Sequence, residues 1–133
     1  MSTSQAQIWK GTAFSIERKD GKAPSTTIFR LSGPFTARNM YGSLTPVALQ
    51  NMLNFHSMPS EELPVLNILD LTNVPYMDSS GLGIIITHYV HCQGKAIRLV
   101  LAGVSPRVLE LFKMTKLDTT LPVAPTVEEV DLP

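Results

Sequence analysis

Cysteine occurs once in this chain of 133 residues, at Cys92. That excludes an internal disulfide and the cysteine-rich metal frameworks, and it favours a reducing compartment. Net charge is missing as well, because 11 Lys and Arg balance 11 Asp and Glu. Without a long-range field of one sign, neither nucleic acid nor anionic lipid is an expected direct partner. No apolar run approaches the roughly 20 residues of a membrane-spanning helix. The polar segment Met1–Gln7 lacks the basic-then-apolar order of a signal peptide and reads as a disordered tail. A soluble cytoplasmic protein without repeats or low-complexity segments is expected.

Catalytic signatures are equally scarce. There is no Gly-x-Ser-x-Gly elbow, and nothing identifies a histidine that would meet a reactive serine. Gly81-Leu82-Gly83 runs into isoleucines where a phosphate-binding loop would carry a lysine. His88, His91 and Cys92 have the three- and four-residue spacing of one helical face, which can hold a metal, but no second ligand cluster accompanies them. No enzyme activity, metal or cofactor is expected.

The length suits one domain, residues 1–133, able to bury about two thirds of the surface of the unfolded chain. A strand through Trp9, Thr12, Phe14 and Ile16, the turn Lys19–Lys22 and a second arm over Thr26–Ser32 make a hairpin. Thr45 as N-cap and Pro46 at the first helical position start the second part of a broken first helix, with Leu49, Met52 and Leu53 inward. Val65–Leu71 reads as a central strand, returning parallel to its neighbour. A helix from Gly81 to Cys92 follows, with Gly94 as its left-handed stop and Lys95 opening another strand. Ser105-Pro106 repeats the capping logic ahead of an apolar helical face. Thr126 with Glu129 three residues on could start a short final helix.

The segment Asp78-Ser79-Ser80-Gly81-Leu82-Gly83 sits where the central strand hands over to this long helix. Asp78, Ser79 or Ser80 can cap it by accepting hydrogen bonds from its first amides. Those amides and the helix dipole also tolerate an anion. A phosphate on Ser79 would bring roughly −1.5 to −2 charges without unfolding the domain. A purely structural cap is the competing reading.

From about Thr26 to Val130 the chain resembles the STAS domains, whose best-studied members are bacterial anti-sigma factor antagonists. The resemblance rests on Val74–Gly83, on the strand Ala96–Gly103 and on Ser105–Met114, in that order and spacing. It implies an α/β fold, a mixed sheet of four or five strands with helices mainly on one face. It implies a non-enzymatic protein that binds an anti-sigma factor of the serine-kinase type and is switched off by phosphorylation at Ser79. A PP2C-type phosphatase would restore the hydroxyl, and the protein would be a monomer or weak dimer. The implied partner surface comprises Asp78, Ser79, Ser80, Gly81 and Leu82, with Phe35 and Thr36 from the loop after the second strand. Members often carry an acid there, in Gly-x-Leu-Asp, but this chain has Gly33-Pro34-Phe35-Thr36. Phe35 is then either an exposed aromatic anchor or a residue packed inward. Two other roles share the fold: an interaction subunit of a transporter, lipid-transport or sensory complex, and a nucleotide sensor.

Overall fold

Six consecutive residues at the start of β4 (Leu66–Asn73) are buried, which makes this strand the centre of the sheet. The computed structural model describes residues 5–10, 13–40 and 46–133. β1 (Gln5–Lys10), β2 (Ser15–Asp20) and β3 (Thr26–Ser32) precede β4 in the chain and in the sheet. β1, β2 and β3 form an antiparallel meander; β4 then lies parallel to β3, β5 (Arg98–Ala102) parallel to β4, and the short β6 (Val123–Ala124) parallel to β5. Parallel neighbours need crossovers, and helices supply them. These are α1 (Ala37–Met40) with α2 (Pro46–Leu53), then α3 (Ser79–Gly94), then α4 (Pro106–Met114). The fold is the expected α/β mixed sheet, but it has six strands among the described residues and not four or five, because the two-residue β6 adds to the β5 edge.

The helices share one face. Phe29, Leu31, Leu69, Leu71, Leu99 and Leu101 alternate toward Leu49, Leu53, Ile85, Val108 and Phe112 in one continuous core. The opposite face carries Ile28, Leu66, Ile68 and Val100, and no helix among the described residues covers it. Ala124, Val127 and Val130 of the C-terminal segment lie there instead. Thr126 Oγ1 accepts the Glu129 N–H at 3.2 Å, so the cap forms, but the segment makes a single turn and not a helix. Asp131 then accepts the N–H groups of Lys22 at 2.8 Å and Ala23 at 2.7 Å, fastening the segment to the β2–β3 turn.

Several boundaries differ from the expectation. The strand read through Trp9 to Ile16 is two strands, and Thr12 and Thr45 lie outside the described residues. Gln5, Ala6 and Gln7, expected in a disordered tail, pair with Lys19, Arg18 and Glu17, because β2 offers an edge whose backbone groups need partners. Gly94 is still helical, and the left-handed residue is Ala96 at φ 57°, so β5 begins at Arg98 and not at Lys95.

Candidate functional site

Beyond β4 the chain runs through Val74 and Met77, both buried, into α3. The loop after β3 is stitched to this segment. Phe35 N–H donates to Tyr76 O at 3.0 Å and Asp78 N–H to Phe35 O at 3.3 Å, which extends the parallel pairing past the strands themselves. The site is therefore built from two consecutive strand ends, a rigid support for the helix start.

Asp78 is the N-cap. Its Oδ1 accepts the N–H groups of Ser80 at 2.9 Å and Gly81 at 3.1 Å, and its Oδ2 accepts the Ala37 N–H at 3.0 Å. One carboxylate thus satisfies two free amides at the start of α3 and ties α1 to it. Ser79 is left at the first helical position, exposed, and its hydroxyl makes no hydrogen bond among the described residues. Ser80 is half-buried behind it. The two amides that could have cradled an anion are already held by Asp78. A phosphate on Ser79 would stand beside that carboxylate, with the helix dipole offsetting part of the repulsion.

Gly81 is buried because Phe35 lies against it. A Cβ at position 81 would collide with the Phe35 carbonyl oxygen and come within 3.0 Å of its ring. Phe35 is fully buried and stacks on Phe14, with ring centroids 5.1 Å apart and planes inclined by 6°. The exposed-anchor reading of Phe35 is therefore corrected: the missing side chain of Gly81 makes the space that draws the ring inward. Thr36 is buried too, and its hydroxyl bonds Asn39 Oδ1 at 2.6 Å. Leu82 belongs to the core. Of the seven residues expected to face a partner, Ser79 is exposed, Asp78 and Ser80 are half-buried, and Gly81, Leu82, Phe35 and Thr36 lie beneath them as support. Gly83 has open space around its Cα, so it leaves the surface below Ser79 low and does not serve close packing.

One neighbouring feature had no clear sequence signal. The Arg107 guanidinium sits over the Tyr76 ring at 4.5 Å, and Ser105, the N-cap of α4, donates to Pro75 O at 3.4 Å. Together they pin the 75–78 segment to the start of α4. Tyr76 and Arg107 are 31 positions apart, so spacing alone could not pair them.

The histidines lie elsewhere. His88 and His91 are about 13 Å or more along α3 from Ser79 at 1.5 Å per residue, and they are engaged in packing. His88 Nε2 meets Asn67 Oδ1 at 2.7 Å, and His91 Nε2 accepts the Phe55 N–H at 2.9 Å. Burial pushes the His88 imidazole down to about 4, with the charge of His91 adding to the effect. Burial, then His56 and Lys95, lowers His91. Burial raises the Cys92 thiol to about 12. Among the described residues no group of three His, Cys, Asp or Glu is placed to hold a metal ion, and no helix is long and apolar enough to cross a membrane.

A mixed sheet of this order, with its helices on one face, defines the class as an α/β domain. The STAS domain model matches residues 17–130, and the chain belongs to the STAS domain family. A curated relative, the anti-sigma-B factor antagonist of Listeria monocytogenes, is 38% identical over 55 residues, 41% of this chain and 48% of the relative. The chain thus aligns with about half the length of that relative. Among solved structures, the Bacillus cell fate determinant SpoIIAA in its phosphorylated form matches with a TM-score of 0.58 at 19% identity, over 90% of this chain and 97% of that one. A sulfate transporter family protein from Wolinella succinogenes matches with a TM-score of 0.64 at 21% identity, over 81% and 83%. At these identities the structural likenesses carry the fold alone.

Proposed function

We propose that this protein is an anti-sigma factor antagonist: with Ser79 unmodified it binds an anti-sigma factor of the serine-kinase type, and phosphate on Ser79 ends that binding. The observation that carries the reading is that Asp78, and not a serine, caps α3, which leaves the Ser79 hydroxyl exposed and without a hydrogen bond among the described residues. A structural cap would have its oxygen occupied. The similarity to the Listeria antagonist supports the same reading.

The switch needs no refolding. A hydroxyl at the rim of a close interface is small and neutral, and Gly83 keeps the adjacent surface low. Adding a dianion next to the Asp78 carboxylate places two like charges where a partner must desolvate both, unless matching cations meet them. The binding module is non-enzymatic and cytoplasmic; ATP is consumed by the kinase, and a PP2C-type phosphatase returns the hydroxyl.

The test is incubation with ATP and candidate serine kinases of the anti-sigma type, with the added phosphate located by peptide mass spectrometry and binding measured before and after. Phosphate on Ser79, absent in Ser79→Ala, with binding weakened roughly a hundredfold or more, is the expected result. No modification and no binding to any such kinase would overturn it. An interaction subunit of a transport or sensory assembly would then be the better reading.

A further inference from the structure

The face of the sheet away from the helices carries an open cleft of about 450 Å³ beyond the C-terminal ends of β3, β4 and β5. The volume lies within the usual range for small-molecule sites. Arg30 and Asp70 line it, with Thr72, Asn73, Thr126 and Glu128. It lies on the opposite face from α3 and Ser79.

Arg30 is held from behind. Asp70, only 3% exposed, bonds Arg30 Nε through Oδ2 at 3.1 Å, while its Oδ1 accepts the Thr72 N–H at 3.0 Å and O–H at 2.6 Å. Both carboxylate oxygens are committed inside the protein. The Arg30 side chain is 37% exposed, and its two Nη groups have no partner among the described residues. A guanidinium fixed on one edge presents the other as a preorganised fork for a carboxylate.

Charge decides which carboxylate. Arg30 and Asp70 cancel, so Glu128 leaves the cleft with one net negative charge. A simple anion would meet the fork but face that charge. Arg30 and Glu128 do not pair with each other, so both remain available to a molecule lying between them. Thr126 Oγ1 already accepts a backbone N–H, which leaves its O–H free to donate. We propose that this cleft binds a small zwitterion of the α-amino carboxylate class, its carboxylate on the outer edge of Arg30 and its ammonium on Glu128.

The test is titration of the isotope-labelled full chain with glycine and L-serine, followed by amide chemical shifts, beside N-acetylglycine, glycinamide and inorganic phosphate as single-charge probes. Saturable shifts confined to residues such as Thr72, Asn73, Gly103 and Glu128 are expected with the amino acids, and roughly tenfold weaker binding with each single-charge probe. Glu128→Gln changes an exposed side chain and should weaken L-serine binding roughly tenfold. Arg30→Lys keeps a cation beside Asp70 while removing the fork, and should do the same; if it fails to fold, Glu128→Gln decides alone. Absence of saturable shifts with either amino acid, phosphate binding as tight as L-serine, or an unchanged affinity in Glu128→Gln would each overturn the proposal.

Discussion

Asn67 Oδ1 lies 2.7 Å from His88 Nε2 in the buried layer between β4 and α3. The Asn67 amide nitrogen donates to Thr27 O at 2.8 Å, which assigns the oxygen to the histidine side and makes Nε2 the donor. The ring is then neutral, and its Nδ1 is buried without a partner. A second proton would create an N–H with no acceptor, close to His91, whose ring centroid is 6.0 Å away.

This pair makes the domain acid-sensitive. The folded-state value of His88 is depressed to about 4 from 6.5, so its contribution to stability is present above pH 6.5 and lost as the pH falls toward 4. Between pH 7 and pH 5 the loss is about 2 kcal/mol. Urea denaturation across that range should show it. His88→Leu should flatten the profile while costing about 1–3 kcal/mol at pH 7, because Asn67 Oδ1 loses its donor.

Asp78 and Ser79 should separate cleanly in stability. Asp78→Ala frees three backbone N–H groups at the start of α3 and at Ala37, and should cost about 2 kcal/mol or more. Ser79→Ala removes an exposed, unbonded hydroxyl and should stay within about 0.5 kcal/mol of the parent. Equal losses in the two variants would mean that the serine shares the capping.

The two glycines of α3 should respond with opposite sign. Gly81→Ala forces a methyl group against the Phe35 carbonyl and ring and should lower stability by about 1–3 kcal/mol. Gly83→Ala meets open space and should raise it by about 0.5–1 kcal/mol through helix propensity. Thermal denaturation of both variants checks the contrast.

Cys92 should resist thiol reagents in the native protein. Its sulfur is fully buried beside His88, and the thiol is raised to about 12, so almost no thiolate is available at neutral pH. Labelling with a chromogenic disulfide should follow the unfolding curve in urea; fast labelling without denaturant would contradict the packing of α3.

Local signals made much of this readable from sequence. The arm Thr26–Ser32, the central strand and the Ser105-Pro106 start of α4 each carried alternation or a cap within a few residues. The site was legible only to its neighbourhood. Asp78, Ser79 and Ser80 can all cap a helix, and the choice rests partly on an amide 41 residues away, that of Ala37. Phe35 turned inward because Gly81 has no side chain, a fact about two segments and not about either one. The cover over the second sheet face was hidden for the same reason: Val127 and Val130 are two apolar positions among polar and charged ones, and their spacing does not say which sheet face they cover.

The Asp131 carboxylate reaches back 108 positions to Ala23, and that distance has a consequence for the order of assembly. Contacts closing long loops form late, since the chain between them must first be positioned. The helix-covered face can consolidate through nearer partners, while Ile28, Ile68 and Val100 wait for the C-terminal segment. A chain still being synthesised therefore passes through a stage in which one side of the sheet is finished and the other is a bare apolar strip, open to chaperones or to neighbouring nascent chains until Val127 and Val130 emerge and dock.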